Sequence, residues 1–542
     1  MLGLMQNWPL TVDRILDHAK AVNPGREIIT RRTDGAVHRT TYAQAHLRAK
    51  QVSNALRQWG IQLGDRVATL AWNSERHLEC WYGAMGIGAV LHTLNPRLHP
   101  QQIAWIINHA ADRVLIFDTT FLPIVEAISD ALSVEHYVII ADSATMPANS
   151  LGAVCYEDWI AAQPGDCAWG GFDENTACGL CYTSGTTGDP KGVLYSHRSN
   201  VLHSLTSLNV DAMAIGVSDV VMPVVPMFHA NTWGLAFACP TTGASMVMPG
   251  AQMDGASLYE LLDGERVTIT AAVPTIWMGL LQHLRAHDLK LPYLRKVIIG
   301  GAALPAAIQQ AFEDDYGVPV IHAWGMTETS PLGSMAVMPP ALAGADPATR
   351  LAQKLKQGRP PFGVELKIVD DAGAELPHDS VTAGHLKVRG FAVAAAYFNS
   401  GSAGVLDEQG YFNTGDVATI DCHAAMKITD RAKDVIKSGG EWISSIELEN
   451  IAVSLPGVAN AAAIGVPNPK WDERPVLIVE AHPDAALTAN AVLAHLDGKI
   501  AKWWMPDEVV FVDAIPLGGT GKIDKVALRR QWLARQPGAQ GV

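Results

Sequence analysis

The sequence has no uninterrupted apolar run of about 18 residues, which a membrane-spanning helix would need. Residues 1–10 also lack the basic and apolar stretches that make up a signal peptide. Cysteine is scarce, because only seven are scattered over 542 residues, and their odd number does not suit a disulfide framework. We therefore expect a cytoplasmic protein with reduced thiols and no membrane span.

Positive charge is also in short supply. Lys and Arg number 40 against 54 Asp and Glu, which gives a formal net charge of −14. A general nucleic-acid-binding protein would need a basic surface, so that class is disfavoured. The hydrophobic content of 48% argues against disorder. The length exceeds the roughly 250–300 residues that one core normally serves, so we expect more than one domain.

One glycine-rich stretch stands out. Gly, Ser, Thr or Lys make up eight of the twelve residues from Tyr182 to Val193. Such a loop can wrap a polyphosphate with backbone N–H groups, hydroxyls and one ammonium. The apolar run 176–181 before it predicts a buried strand, and open α/β sheets place ligands at strand ends.

The loop fits neither of the common nucleotide-binding patterns. Pro190 stands where a Walker loop has its second glycine, and Gly192 follows Lys191 where that loop has Ser or Thr. The dinucleotide pattern G-x-G-x-x-G is absent from this stretch as well. Considered alone, the loop could equally be a solvated turn.

The first half of the chain alternates apolar strands with helices, which predicts doubly wound parallel sheets. Residues 1–60 are predicted to be helical, and 79–90 a helix rich in small residues. Cys178 and Cys181 form a C-x-x-C pair in the strand before the glycine-rich loop. Because residues three apart on a strand face opposite sides, we expect a buried structural role rather than redox chemistry.

The composition of the chain changes at two places in its second half. Residues 358–416 are predicted to be rich in β-structure, and residues 427–434 carry five charges in eight positions. We place a domain boundary there, which gives an N-terminal domain at 1–430 and a small α/β domain at 431–542. Near the end of the chain, Lys522 is carried on a glycine-rich turn.

Three further features could be functional or merely structural. His229 and Trp233 are four residues apart and would share one face of a helix, which is also typical of core residues. Glu328 lies in a polar turn after a strand, where a helix cap or a solvated charge is common. Lys522 could be an ordinary surface lysine.

Together these motifs resemble the adenylate-forming superfamily of acyl-CoA synthetases, luciferases and adenylation domains. The resemblance covers nearly the whole chain, in the family's order, and residues 227–234 and 437–445 are similar to the fatty-acyl-CoA synthetase branch. It implies a large N-terminal domain of doubly wound sheets with a β-rich subdomain, followed by a small mobile C-terminal domain. It also implies an AMP-forming ligase that joins a carboxylate to CoA through an acyl-adenylate.

The resemblance implies a set of residues for the nucleotide. Thr183 to Lys191 would wrap the β- and γ-phosphates, Thr183 and Glu328 would bind Mg²⁺, and Asp416 with Arg431 beside it would hold the ribose. The turn 301–303 and Trp324 would line the adenine slot. The residues expected to bind ATP or AMP are Thr183, Ser184, Gly185, Thr186, Thr187, Gly188, Lys191, Gly301, Ala302, Ala303, Trp324, Gly325, Met326, Thr327, Asp416 and Arg431.

The resemblance also assigns the chemistry. Lys522 would bridge the carboxylate and the α-phosphate in the first step, as an electrostatic donor. A rotation about Lys433 would then bring the CoA-step residues to the site, while His229 and Trp233 border the acyl pocket and Trp233 gates it. The residues expected at the thioester step are Lys437, Gly439, Gly440, Glu441 and Trp442.

The expected substrates are ATP, CoA and a carboxylic acid, either 3-(methylthio)propanoate or a similar short- or medium-chain fatty acid. An aryl-CoA ligase, an amino-acid adenylating enzyme and a non-catalytic nucleotide-binding module stay open as alternatives. No carrier-protein attachment site follows Lys525, which favours a stand-alone ligase. A homodimer is expected because related synthetases are often dimers.

Overall fold

The structure is a computed structural model that describes residues 1–183, 190–400, 405–438, 441–483, 485–518 and 523–535, with only the backbone of Glu441. Within these ranges no helix combines the length and the apolar character needed to cross a bilayer. The chain forms two large sheets with helices on their faces, then a β-rich subdomain and a smaller α/β unit. This arrangement confirms the predicted fold class.

The first large sheet has seven strands in the order β7-β6-β5-β3-β4-β8-β9. All neighbours are parallel except β9, which pairs antiparallel with β8. Its strands are β3 (Arg66–Leu70), β4 (Val90–Thr93), β5 (Asp112–Asp118), β6 (His136–Ile140), β7 (Val154–Cys155), β8 (Ala177–Tyr182) and β9 (Gly192–Ser196). The β8–β9 hairpin carries the glycine-rich loop at its tip.

The second large sheet has eight strands in the order β15-β14-β13-β12-β10-β11-β1-β2. Its six inner strands run parallel, and the edge strands β2 and β15 are antiparallel to their neighbours. The strands are β1 (Glu27–Arg31), β2 (Val37–Thr41), β10 (Val220–Pro223), β11 (Ser245–Met248), β12 (Ile269–Ala272), β13 (Lys296–Gly300), β14 (Val320–Gly325) and β15 (Leu332–Met335).

Helices pack on the large sheets, and most of their inner strands are largely apolar, as expected for strands covered on both faces. One core lies between the two sheets and includes Trp81 and Phe237, both essentially inaccessible to solvent. The helices of this part are α1 (Asp13–Val22), α2 (Tyr42–Gln58), α3 (Glu75–Gly86), α4 (Pro100–Ala110), α5 (Leu122–Ile128), α6 (Tyr156–Ala161), α7 (His197–Ser207), α8 (Leu235–Thr242), α9 (Gly255–Gly264), α10 (Pro274–Ala286), α11 (Ala306–Gln310) and α12 (Pro347–Leu355).

The β-rich subdomain is an antiparallel sheet in the order β16-β17-β18-β19. Its strands are β16 (Val364–Val369), β17 (Gly384–Gly390), β18 (Phe412–Ile420) and β19 (Met426–Arg431). The core of this sheet also takes in Trp324, from the end of β14, so the subdomain packs directly on the predicted nucleotide residues.

The C-terminal part has its own five-stranded sheet, in which β20, β21, β22 and β23 pair antiparallel and β24 runs parallel to β23. Its elements are β20 (Ile436–Ser438), β21 (Glu441–Ile443), α13 (Ser445–Val453), β22 (Val458–Asn468), β23 (Asp472–Ala481), α14 (Ala489–Leu496), β24 (Glu508–Val512) and α15 (Lys525–Arg535). Sheet membership therefore changes between Arg431 and Ile436, and the boundary at 430/431 stays a prediction.

Two of the local predictions were wrong. The first 60 residues are not helical throughout, because β1 and β2 form a hairpin between α1 and α2. Burial on β1 comes from pairing with β11, more than 200 residues away, which local periodicity does not reveal. The predicted helix 79–90 ends at Gly86, and Val90 opens strand β4. Helix α2 begins at a capping box formed by Thr41 and Gln44.

The interpretation of the cysteines agrees with the structure. Cys178 and Cys181 are both buried on β8 but belong to different packing clusters, as expected for residues that face opposite sides of the sheet. All seven cysteines are unpaired, and Cys422 alone is exposed. Burial raises the pKa of both thiols on β8, which makes them poor nucleophiles at neutral pH.

Candidate active site

The two ends of the glycine-rich loop are joined by the β8–β9 hairpin. Tyr182 pairs with Gly192, and the N–H of Thr183 donates to the carbonyl of Lys191 at 2.9 Å. A methyl group on Gly192 would lie 3.1 Å from Cζ of Tyr182 and 3.2 Å from Cβ of Phe398. Only glycine therefore fits without displacing a neighbour. The predicted residues Ser184, Gly185, Thr186, Thr187 and Gly188 lie outside the described residues.

Glu328 is held in the turn Thr327–Thr329 that follows β14, and it is only 5% exposed. The hydroxyl of Tyr397 donates to its Oε1 at 2.7 Å, and the N–H of Ala394 donates to its backbone carbonyl at 2.8 Å. Burial raises the pKa of the Glu328 carboxyl above its usual value. The Tyr397 hydroxyl and the charges of Arg431 and Lys191 act in the opposite direction.

Lys191 reaches the same place from the loop side. Its ammonium lies 5.0 Å from the centre of the Tyr397 ring, which is within the range of a cation–π interaction. Lys191 and Glu328, which the resemblance assigns to phosphate and metal, are thus joined through one tyrosine. Sequence reasoning missed Tyr397, because a single aromatic after three alanines carries no periodic signal.

Asp416 and Arg431 are also brought together, as expected. They are directly opposite in the β18–β19 pair, and Nε of Arg431 lies 3.1 Å from Oδ1 of Asp416. The indole N–H of Trp324 donates to Oδ2 of the same carboxylate at 3.0 Å. The tryptophan is 7% exposed and packs in the core of the β-rich subdomain. Its ring therefore positions Asp416, a role that the sequence alone did not suggest.

The turn Gly301-Ala302-Ala303 leaves the end of β13, and Gly301 adopts a left-handed φ of 80°. Trp233 packs against its start, because a methyl group on Gly300 would lie 3.2 Å from Cη2 of that indole. The residue sets predicted for the adenine slot and the acyl pocket are thus direct neighbours at this turn.

The predicted adenine-side residues Gly325, Met326 and Thr327 form the exit from β14. A methyl group on Gly325 would lie 1.9 Å from the carbonyl of Pro331, so the backbone passes too close for a side chain. The N–H of Met326 donates to Oγ1 of Thr329, and the carbonyl of Thr327 accepts from the Tyr195 hydroxyl at 2.8 Å.

The predicted helical face shared by His229 and Trp233 is wrong. Residues 230–234 all have positive φ, from 42° at Ala230 through 55° at Trp233 to 80° at Gly234. This left-handed turn lies between the half-buried His229 and helix α8. Local sequence favours right-handed backbone for non-glycine residues, so tertiary packing must impose this conformation.

The residues of the CoA step are only partly described. Lys437 has an exposed side chain, and its N–H donates to Oε2 of Glu473 at 3.0 Å. Trp442 pairs with Lys437 across β20–β21 and lies 5.8 Å from the ring of His385 in the β-rich subdomain. Lys433 is exposed after β19. Gly439, Gly440, the side chain of Glu441 and the candidate catalytic Lys522 lie outside the described residues.

A cavity of about 660 Å³ lies on the C-terminal part. Its lining includes Trp471, Trp503 and Ser438, the neighbour of Lys437, and none of the residues predicted to bind ATP.

The chain matches two family models: AMP-binding enzyme over residues 16–398 and AMP-binding enzyme C-terminal domain over residues 447–522. The chain belongs to the AMP-binding enzyme family. It is 51% identical to the 3-methylmercaptopropionyl-CoA ligase of Ruegeria lacuscaerulensis, over 98% of this chain and 99% of the relative. It is 45% identical to the medium-chain-fatty-acid–CoA ligase of Ectopseudomonas oleovorans, over 98% of both chains.

Among solved structures, the anthranilate CoA ligase AuaEII in complex with anthranoyl-AMP superposes with a TM-score of 0.86 at 28% identity. The match covers 98% of this chain and 99% of that one. These comparisons confirm the expectation of an AMP-forming acyl-CoA synthetase that uses ATP, CoA and Mg²⁺. They do not test the roles of individual residues.

Proposed function

We propose that this protein forms the CoA thioester of 3-(methylthio)propanoate, through the acyl-adenylate. The observation that carries this proposal is the 51% identity to a 3-methylmercaptopropionyl-CoA ligase along nearly the full length of both chains. In the first step a carboxylate oxygen attacks the α-phosphorus of ATP and pyrophosphate leaves. In the second step the CoA thiol attacks the acyl carbon, loses its proton and displaces AMP.

Both reactants of the first step are anions, so the site must supply positive charge and hydrogen-bond donors. Among the described residues, Lys191 and Arg431 are two cations whose charges favour the ionised form of the buried Glu328 carboxyl. We assign Lys191 to the phosphates, Arg431 with Asp416 to the ribose, and Lys522 to the attacking carboxylate and the α-phosphate. The overall charge of −14 makes such a local concentration of cations necessary.

The residues present fit Mg²⁺ held mainly by substrate. The described residues contain no cluster of three or more His, Cys, Asp or Glu side chains that could enclose a metal. Mg²⁺ usually takes one or two protein oxygens and completes its shell with phosphate oxygens and water. Thr183 and Glu328 would supply those oxygens. When bound, the ion neutralises phosphate charge.

The second step requires CoA to reach the adenylate, which we assign to a rotation of residues 431–542 about Lys433. Two hydrogen bonds are among the contacts that hold the present arrangement. The Asp430 carboxylate accepts from the N–H of Ser445, and the Ser444 hydroxyl donates to the carbonyl of Thr429. A rotation must break both, which supports two discrete states over a continuous motion. Lys437 and Trp442 would then approach the thioester step.

We also infer a homodimer in the cytoplasm. The seven unpaired cysteines suit a reducing compartment, and the dimer rests on the resemblance to synthetases that are often dimers. Light scattering coupled to size-exclusion chromatography tests the dimer: a mass near 116 kDa, twice the 58.0 kDa of one chain, is expected.

A medium-chain fatty acid is the second candidate substrate, because of the 45% identity to a medium-chain-fatty-acid–CoA ligase. The deciding experiment measures CoA-thioester formation with propionate, 3-(methylthio)propanoate, butyrate, hexanoate and palmitate. The highest kcat/KM is expected for 3-(methylthio)propanoate. A maximum at hexanoate would favour the second candidate, and the absence of any acid-dependent pyrophosphate release would favour a module that only binds nucleotide.

A further inference from the structure

The segment Ala394–Asn399 joins three parts of the molecule that the site needs in fixed positions. The N–H of Ala394 donates to the backbone carbonyl of Glu328, and the Tyr397 hydroxyl donates to the carboxylate of the same residue. In the middle, the N–H of Phe398 donates to the carbonyl of Gly192, beside Lys191, at 2.8 Å. At the far end, Nδ2 of Asn399 donates to the carbonyl of His109 on α4 at 3.3 Å.

Aromatic and histidine side chains make further contacts around this segment. His109 accepts or donates a hydrogen bond with the Tyr182 hydroxyl at 2.6 Å, and its ring lies 6.1 Å from that of Phe398. Trp105 stacks on His109 at 4.6 Å. Tyr182 directly precedes Thr183, so these contacts fix one end of the glycine-rich loop, while Phe398 fixes the other end at Gly192.

Tyr397 is the point where these contacts converge. Its hydroxyl donates a hydrogen bond to the Glu328 carboxylate, and its ring forms a cation–π contact with the ammonium of Lys191. A carboxylate that is 5% exposed depends on such a donor, because a buried charge without hydrogen bonds is costly. The two functions reside in different parts of one side chain, so they can be separated by substitution.

We propose that Tyr397 is a positioning residue for the nucleotide site: its hydroxyl orients Glu328 toward Mg²⁺, and its ring holds Lys191 toward the phosphates of ATP. The proposal rests on the proposed function only through the roles given to Glu328 and Lys191. It adds a residue between them and assigns a separate task to each end of the tyrosine.

Two substitutions separate the tasks. Tyr397→Phe removes the hydroxyl and keeps the ring, whereas Tyr397→Leu removes both. Tyr411→Phe is the matched control, because the Tyr411 hydroxyl also donates to a carboxylate, Oε2 of Glu365, at 3.0 Å. The Tyr411 ring also faces cations, with Nζ of Lys367 at 4.2 Å. It lies in the same β-rich subdomain, apart from the contacts of Glu328.

ATP binding is measured by calorimetry over a range of MgCl₂ concentrations, with no acid or CoA present. Tyr397→Phe is expected to raise the Mg²⁺ concentration for half-maximal binding about tenfold, as for a lost hydrogen bond to a charged group. Its ATP affinity without Mg²⁺ should be unchanged. Tyr397→Leu should weaken the Mg²⁺-free affinity as well, about threefold, as for a lost cation–π contact. Tyr411→Phe should change neither value.

An unchanged Mg²⁺ requirement in Tyr397→Phe overturns the proposal, and so does an equal loss with and without Mg²⁺, which a merely structural role would give. Thermal unfolding of each variant identifies loss of fold. If the native protein binds ATP with Mg²⁺ but forms no thioester with any acid, the proposed function fails, while the assignment of Tyr397 is still decided by the binding data.

Discussion

Trp233 should set the length of acid that the protein accepts. Its side chain is 9% exposed and packs against the Gly300–Gly301 turn, on the adenine side of the site. We expect a residue in this position to border the acyl pocket. Replacing it by alanine removes the whole indole and opens room for several methylene groups.

The size of the effect follows from apolar burial. Each methylene transferred from water contributes about 0.8 kcal/mol, which is roughly a fourfold change in kcat/KM. Octanoate has three more chain atoms than 3-(methylthio)propanoate, so up to about 2.4 kcal/mol, or roughly 60-fold, becomes available in Trp233→Ala. The ratio of kcat/KM for octanoate to that for 3-(methylthio)propanoate should rise by at least about tenfold.

The assay follows AMP formation with each acid at saturating ATP and CoA. A buried Trp→Ala change often costs about 3–5 kcal/mol of stability, so Trp233→Leu is measured beside it. Trp59→Ala is the control, because Trp59 stacks on Trp159 at 4.8 Å in the core of the N-terminal part and should not alter the acid profile. An unchanged ratio in both Trp233 variants, with the fold retained, would refute the reasoning.

Three further predictions concern catalysis, pH and backbone strain. Lys522→Ala should lower acid-dependent pyrophosphate release by roughly 10²–10³-fold, and undiminished AMP formation would exclude its assigned role. Burial raises the pKa of Asp118 to about 7, so the folded state keeps a proton that the unfolded state has lost, and stability should fall from pH 4 to 7. Asp118→Asn should flatten that loss in thermal-unfolding scans, and an equal slope in both proteins would contradict the assignment. Thr232→Gly should raise the midpoint temperature of unfolding, because it removes a β-branched side chain from a backbone with φ 55°. It also removes a buried hydroxyl that has no hydrogen-bond partner among the described residues. A lower midpoint than that of Thr232→Ala would disprove the strain.

Many strands of the large sheets could be predicted because short apolar runs in the sequence mark them. The strands around 67–70, 113–117 and 137–140 are mostly apolar, which is typical of parallel strands covered on both faces. The loop after β8 was placed correctly at the end of a strand. The N-terminal hairpin was missed because its burial comes from a partner strand more than 200 residues away.

The membership of the candidate site stays a prediction, but the structure shows contacts among its residues that the sequence did not indicate. The sequence named Glu328, Lys191 and Asp416 as members of the site. It did not reveal that Tyr397, 69 residues from Glu328, donates to that carboxylate, or that Trp324, 92 residues from Asp416, donates to the other. No local pattern encodes such pairs, because both partners are single residues brought together by the docking of the β-rich subdomain.

From the sequence alone we could predict most of the strands of the first large sheet and the place of the glycine-rich stretch after β8. The polyphosphate-binding role of residues 182–193 and the division into a large and a small part stay predictions. All of these predictions depend on local composition and period, which each segment carries on its own. Which side chains meet, and where the backbone departs from its local preference, depends on contacts between distant segments. The left-handed turn 230–234 shows the reason: packing between distant elements outweighs the local conformational energy of four non-glycine residues.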